Sequence, residues 1–228
     1  SVVAGRVAAH AGAARLIGGS IVTISGQVGP LVMLAVVLTM TMAITPVLNN
    51  PATVVIIPEY KNPKPEIARK GLRLFTVHVR RTGPDQQDQK LNSHSKLNCI
   101  LACIQAAQAG ADEALMLDPQ GNVATCNSTH FFIVRRGELW TSSGQYCIPG
   151  ITRGNMLRVA KTLGIPAIEK QFSLYDVYGA DEAFVTGTFG GLTPVREVDG
   201  HVIPGGTPGL VTQRLRELYD ALKDEQAR

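Results

Sequence analysis

The middle of the chain changes from an alternating pattern of apolar and polar residues to a helical one. Residues 71–80 (GLRLFTVHVR) carry an apolar side chain at about every second position, as a half-buried strand does. Further along, four apolar residues recur at the spacing of one helix face: Ile100, Leu101, Ile104 and Ala107. Gly110 follows at a position typical of a helix C-terminus. The pattern predicts a strand followed by an amphipathic helix.

The second half of the chain mixes short strand-like and helix-like stretches. Strands are predicted at residues 114–118, 123–134, 138–141, 169–172 and 184–188. A hairpin is predicted at 195–202, around the turn residues Asp199 and Gly200. Helices are predicted at 151–163 and 212–223. Because these elements do not alternate strictly, the pattern predicts an α+β fold.

The first quarter of the chain has a different character. No Asp, Glu, Lys or Arg occurs from Leu16 to Pro58, and Arg15 is the last charged residue before this stretch. Residues 31–48 form an apolar run of about the minimum length for a membrane span, roughly 17–25 residues. The sequence therefore predicts two parts: an apolar helical segment at 1–57, with membrane association possible through 16–57, and a folded domain at 58–228.

Composition narrows the function classes for the domain. The net charge of +4 is small, and the basic residues are scattered without interleaved aromatic residues, which disfavours a nucleic-acid partner. The histidines are isolated from one another, and no cluster suggests a metal site. Four cysteines lack CxxC spacing and are predicted to be reduced, buried thiols of a cytoplasmic protein: Cys99, Cys103, Cys126 and Cys147.

Four stretches resemble the class IV aminotransferases, the pyridoxal-phosphate enzymes of fold type IV that include branched-chain and D-amino-acid aminotransferases and aminodeoxychorismate lyase. They are DQKLNSHSKLNCILACIQAAQAGADEA, GNVATCNSTHFFIV, IPGITRG and VTGTFGGLTPV. The resemblance implies the fold of the family's C-terminal large domain, a pyridoxal 5'-phosphate cofactor and an amino acid or 2-oxo acid substrate. It also implies a homodimer.

The phosphate support of that family matches well. Pro149 and Gly150 open a predicted helix, and free N–H groups at a helix N-terminus attract an anion. The resemblance implies that Ile151, Thr152 and Thr188 hold the phosphate, with Gly187 in the adjoining turn.

The cofactor lysine does not match. Alignment without gaps puts Asn92 at the position of the family's Schiff-base lysine, and an amide nitrogen is not nucleophilic. Lys96 lies four residues further on, so a helix through this stretch would bring it to the same side as position 92. Lys90 lies two residues before Asn92 and would reach the site only if the loop bulges. Lys96 and Lys90 therefore remain alternative candidates, and no covalent attachment is the third possibility.

The support for the pyridine nitrogen also departs from the family. Thr125 stands where the family has a carboxylate that keeps this nitrogen protonated, and His130 replaces an asparagine. A hydroxyl cannot stabilise a pyridinium, so the cofactor's electron sink would be weaker. That change favours elimination or racemisation over transamination.

The apolar segment suggests further alternatives. Its sequence resembles part of a divalent-anion:sodium symporter, in which broken, uncharged helices supply backbone groups to ions. Three hypotheses follow from the sequence: an aminotransferase-like enzyme, a pseudoenzyme that keeps the fold without turnover, and a membrane-associated transporter fragment.

Overall fold

The computed structural model describes residues 69–93, 95–188, 190–205 and 208–226. Within them the strands are β1 (Leu72–Thr76), β2 (Glu113–Leu117), β3 (Val123–Cys126), β4 (His130–Arg135), β5 (Glu138–Thr141), β6 (Ala167–Glu169), β7 (Glu182–Gly187), β8 (Gly191–Val198) and β9 (His201–Val202). The helices are α1 (Pro84–Gln87), α2 (Leu97–Gln108), α3 (Ile151–Thr162), α4 (Leu174–Tyr178) and α5 (Leu210–Gln226). The mixture confirms the predicted α+β class.

The described strands join one mixed sheet. Its order is β3-β2-β1-β8-β7-β4-β5-β6, and β9 pairs with β8. β1 pairs in parallel with β2 and β8, and β5 with β6, whereas the remaining pairs are antiparallel. Only residues 127–129 separate β3 from β4 along the chain. The six-strand path from β3 to β4 therefore returns on itself, and the sheet curls.

Alternation along β4 divides the core into layers. Phe131 and Ile133 join an apolar cluster to which all six strands of the curled path contribute. Phe132 and Val134 point the opposite way, into a cluster completed by α3 and α5. The rings of Phe132 and Phe184 stack there, with centroids 5.0 Å apart. The predicted C-terminal helix takes part in this packing, and its Leu215 is fully buried.

The helix α2 forms where it was predicted, but its large apolar residues are not covered. Ile100 is 57% exposed and Ile104 is 49% exposed, whereas the small Ala102 and Ala106 are buried against β2. Small side chains allow the helix to lie close to the sheet, which turns its larger residues outward. Cys103 shares that outer side and is exposed. The prediction of a buried thiol is therefore wrong for this cysteine.

The other three cysteines differ in their exposure. Cys126 and Cys147 are buried, as predicted, and Cys99 is half-buried. All four cysteines are free thiols.

Two predicted strands differ in their bounds. The stretch 123–134 is not one strand, because Asn127 leaves the sheet path: its N–H donates to the Ala114 carbonyl, and its side-chain oxygen accepts the Ala114 N–H. The predicted strand 169–172 lies instead at Ala167–Glu169. Phe172 is buried in the apolar cluster that contains Phe131 and Ile133, and it leads into α4, a helix that the pattern did not predict.

The predictions for the apolar segment 1–57 fall outside the described residues. The predicted domain boundary near residue 57 also lies there and stays a prediction. No helix in the described part of the chain is long and apolar enough to cross a membrane.

Candidate active site at the turn between β3 and β4

The turn at residues 127–129 is held by a buried carboxylate from β2. Glu113 accepts hydrogen bonds from the Ser128 N–H at 3.1 Å, the Ser128 hydroxyl at 2.9 Å and the Thr129 hydroxyl at 2.9 Å. From the other side, the Thr125 hydroxyl donates to the Thr129 carbonyl at 2.8 Å. Burial raises the pKa of Glu113, and these donors oppose the shift. The turn is thus fixed by contacts at both of its ends.

Two other predicted segments reach the same turn. Gly150, which precedes α3, lies so close to His130 that a Cβ there would overlap the imidazole, 2.9 Å from Nδ1. Gly187, at the end of β7, faces Thr129, whose methyl group would lie 3.3 Å from a Cβ at that glycine. Three segments that are distant in sequence therefore meet at residues 129 and 130.

His130, the first residue of β4, forms a hydrogen bond with the chain before α3. The Nε2 atom of His130 lies 2.7 Å from the Ile148 carbonyl oxygen, which assigns its proton to Nε2. Burial lowers the pKa of His130, and the nearby Arg153 and Arg81 cations lower it further, whereas the bond to Ile148 raises it. The imidazole is therefore neutral at neutral pH, with Nδ1 unprotonated.

A polar pocket opens beside the turn, and we call it the Arg81 pocket. Its wall combines the loop before α2 with the β3–β4 turn and the chain before α3. The lining residues are Arg81, Gln87, Asp88, Gln89, Leu91, Ser93, Ser95, Lys96, Asn98, Cys99, Thr125, Cys126, Asn127, Ser128, Thr129, His130, Cys147 and Ile148. Two residues predicted for the site, Lys96 and Thr125, belong to this wall.

The lysine candidates lie in the loop before α2 and not within a helix. Lys96 is the N-cap of α2, and the described residues 91–93 and 95 before it are not helical. The prediction that one helical turn brings Lys96 to the side of Asn92 is therefore wrong. Lys96 reaches the pocket through the loop instead, whereas Asn92 and Lys90 are exposed and do not line it.

The predicted phosphate support has features that suit an anion. Gly150 caps α3 without a side-chain hydrogen bond, and the first bond of the helix runs from the Gly154 N–H to the Gly150 carbonyl at 3.0 Å. The N–H groups of residues 151–153 come before that bond. Thr186, directly before Gly187, is fully buried, and its hydroxyl has no hydrogen-bond partner. Open backbone donors and an unpaired hydroxyl fit a phosphate group.

The residues predicted to hold the phosphate differ in their exposure. Thr152 is buried at the start of α3, but Ile151 is 84% exposed and Thr188 is exposed. These residues and Gly187 do not line the Arg81 pocket. The residues present thus fit the phosphate of the family's cofactor, whereas Thr125 offers its nitrogen no carboxylate.

Sequence reasoning missed two charged residues of the site. Arg81 belongs to the scattered basic residues of the sequence, yet its side chain is buried in the pocket wall. Glu113 lies in a strand whose five residues are all buried, and a carboxylate at such a position was a signal of a specific partner.

Comparisons with known proteins agree with this geometry. Residues 23–198 match the family described as Amino-transferase class IV. The chain is 36% identical over 185 residues to branched-chain-amino-acid aminotransferase-like protein 2 of Arabidopsis thaliana, covering 81% of this chain and 33% of that protein. It is 44% identical over 155 residues to the branched-chain-amino-acid aminotransferase of Pseudomonas aeruginosa, covering 68% and 50%.

Solved structures show the same likeness. The branched-chain amino acid aminotransferase of Thermobaculum terrenum in its PLP-form superposes with a TM-score of 0.65 at 31% identity, covering 66% of this chain and 50% of that one. The Escherichia coli branched-chain amino acid aminotransferase gives a TM-score of 0.68 at 30% identity, covering 73% and 55%.

The chain matches only part of the length of its relatives, and the family match includes part of the apolar segment. The chain spans about a third of the Arabidopsis relative and half of the Pseudomonas one. The family match begins at residue 23, inside the segment that resembles a symporter, and the comparisons do not support that resemblance. Sequence, fold and site lead to the same conclusion: the chain belongs to the class IV aminotransferase family.

Proposed function

We propose that the domain at 58–228 is a pyridoxal-phosphate-dependent, aminotransferase-like catalyst for amino acids and 2-oxo acids, impaired by Asn92 at the Schiff-base lysine position. The observation that carries the proposal is the meeting of three segments at Thr129 and His130: the β3–β4 turn, the start of α3 and the end of β7. A phosphate-bearing cofactor needs donors from separate elements, and these segments supply them.

Within this proposal, the phosphate is held by the N–H groups of Ile151 and Thr152 and by the Thr152 and Thr188 hydroxyls. Gly187 leaves room at the turn, since a Cβ there would press on the Thr129 methyl group. The bound cofactor would supply an electron sink for negative charge beside the substrate amino group.

Lys96 is the amine we assign to the cofactor, because it lines the Arg81 pocket whereas Lys90 does not. The Thr125 hydroxyl donates a hydrogen bond to the Thr129 carbonyl oxygen and carries no charge, so Thr125 leaves the cofactor nitrogen without a counter-ion. A weak electron sink favours elimination or racemisation over transamination in this chain.

Cofactor trapping tests the proposal. The protein is mixed with pyridoxal phosphate, reduced with borohydride and digested for peptide mass spectrometry. We expect a phosphopyridoxyl adduct on Lys96 that Lys96→Ala removes and Lys161→Ala, on the exposed surface of α3, leaves intact. Labelling spread evenly over the surface lysines would contradict the proposal.

A pseudoenzyme is the second candidate. The observation in its favour is that Asn92, at the family's lysine position, is exposed and lies outside the pocket wall. This hypothesis predicts no specific adduct on any lysine, together with retained phosphate binding at the start of α3.

We also propose that the protein forms a homodimer. Four apolar residues on α2 are exposed: Leu97, Ile100, Leu101 and Ile104. A continuous apolar helix face of this kind is typical of an interface. Sedimentation of Ile104→Glu should show loss of the dimer, whereas the control Val202→Glu, at an exposed apolar residue on β9, should keep it. A monomeric unmodified protein would contradict the dimer.

A further inference from the structure

The C-terminal helix α5 is tied at its start to the first residue of β7. Glu182 is buried and accepts the Val211 N–H at 2.9 Å, the Thr212 N–H at 2.8 Å and the Thr212 hydroxyl at 2.7 Å. Its carboxylate thus caps a helix that is distant in sequence. Gly209 leaves room for it, since a Cβ there would overlap the carboxylate. The start of α5 is therefore fixed beside the start of β7.

The far half of α5 lies against the opposite end of β7. Gly187 ends that strand and pairs with Gly191, the first residue of β8. The Nη2 atom of Arg216 donates to the Leu192 carbonyl at 3.3 Å. The ring of Tyr219 lies 3.5 Å from the position that a Cβ on Gly191 would take. One face of α5 therefore contacts the turn between β7 and β8.

The ring of Tyr219 connects this turn to the core. Gly191 has a left-handed backbone with φ +58°, a conformation that favours glycine, so it has no side chain to pack against the core. Tyr219 fills the space beside it. The ring is 7% exposed and packs in the apolar cluster that contains the stacked rings of Phe132 and Phe184. A close-packed cluster moves little, and the ring carries its position to the turn.

The start of α3 lies at the same end of β7 as this turn. His130, which contacts Gly150 before α3, pairs with Thr186 near the end of that strand. Thr188 follows shortly after and is exposed. Both α3 and Tyr219 pack into the same apolar cluster. That cluster thereby sets the position of the β7–β8 turn relative to the start of α3.

We propose that Tyr219 is a positioning residue for the cofactor phosphate. Its ring holds the β7–β8 turn so that the Thr188 hydroxyl and the N–H groups of Ile151 and Thr152 reach the same phosphate. The inference rests on the proposed function, which assigns these donors to the phosphate. Donors from separate elements bind one group well only when their spacing is fixed beforehand. Tyr219 acts through Gly191 and is not a catalytic residue.

Binding of two cofactor analogues to the full chain tests this role. The probes are 4-deoxypyridoxine 5'-phosphate and 4-deoxypyridoxine, which differ only in the phosphate and carry no aldehyde that could form an imine. Equilibrium dialysis gives their two dissociation constants, and we call the ratio of these constants the phosphate preference. We expect the unmodified protein to bind the phosphorylated analogue at least roughly tenfold more tightly.

Substitutions of Tyr219 separate positioning from packing. Tyr219→Leu keeps an apolar side chain in the cluster but does not reach Gly191. With circular dichroism unchanged, we expect the phosphate preference to fall roughly fivefold or more, because the turn is no longer held. Tyr219→Phe retains the ring and should keep the preference. Leu215→Val, at a buried residue of the same helix and cluster, should lower stability and leave the preference unchanged.

A second variant covers the case in which Tyr219→Leu fails to fold. Tyr219→Met supplies a longer apolar side chain without the ring, and we expect the same loss. An unchanged preference in the folded variants, or an equal fall in Leu215→Val, would overturn the inference and leave the proposed function standing. Equal binding of both analogues by the unmodified protein would overturn the phosphate site and this inference together. A preference that depends on Tyr219 without any adduct on Lys96 would keep the inference while the imine chemistry fails.

Discussion

Two regions of the site are held in different ways. The β3–β4 turn is fixed by Glu113, fifteen residues away in sequence, and by its contacts with Gly150 and Gly187. The loop at 88–96 carries the lysine candidates, and its described residues, 88–93 and 95–96, form mainly local hydrogen bonds. Examples are Leu91 N–H to the Asp88 carbonyl and Ser95 N–H to the Ser93 hydroxyl.

Substitutions in the two regions should therefore have different effects, on stability in the turn and on chemistry in the loop. A turn held by buried, long-range contacts is tied to the fold, so changes there should cost stability. A loop held by local bonds and lined with exposed residues tolerates substitution, so changes there should act on chemistry alone.

The largest expected effect follows from removing the carboxylate that holds the turn. Glu113→Ala leaves the Ser128 N–H and two hydroxyls without their acceptor, and we expect a loss of about 2–4 kcal/mol in the free energy of unfolding. Urea denaturation measures it. Glu138→Ala, at a half-buried carboxylate on β5, serves as the control and should cost less. Equal losses would mean that Glu113 has no special role in the turn.

The next effect concerns the contact between α3 and His130. Gly150→Ala should lower stability by about 1–3 kcal/mol, because its Cβ would overlap the imidazole. Gly154→Ala, one turn along the same helix, meets nothing within 4 Å and should raise stability by about 0.5–1 kcal/mol through helix propensity. Thermal unfolding of the pair decides the point, and a destabilised Gly154→Ala would contradict the packing described.

A smaller effect depends on pH. The folded protein lowers the pKa of His130 from its ordinary value of 6.5, so the neutral form contributes stability above pH 6.5. This contribution is lost as pH falls through the lowered pKa, because the unfolded chain then binds the proton more readily. Comparing His130→Gln with the unmodified protein by urea denaturation at several pH values should show that the variant lacks this part of the acid destabilisation. Parallel curves would refute it.

The smallest effect is expected in the loop. Asn92→Ala should change the free energy of unfolding by less than about 0.5 kcal/mol, since its side chain is exposed. Asn92→Lys should be equally well folded and should place an amine at the family's lysine position. Borohydride trapping then compares adducts at Lys96 and at the new lysine. A strongly destabilised Asn92→Ala would remove the contrast between the two regions.

Much of the fold followed from local patterns. The α+β class, the helices at 97–108 and 151–162, and the Asp199–Gly200 hairpin were all predicted, because spacing and capping residues act over a few positions. The motifs also identified the start of α3 and the glycine turn after β7. The split of the stretch 123–134 was missed, since it depends on the pairing of Asn127 with Ala114.

The sequence by itself thus determined the α+β class, most of the longer helices and strands, the family motifs and the replacement of lysine by Asn92. Tertiary structure alone decided which side of α2 is covered, that Lys96 reaches the pocket through a loop, and that Arg81 is buried beside Cys126. The reason is physical: periodicity records how neighbouring residues share a face. Burial and charge balance instead depend on segments that meet only after the sheet has curled.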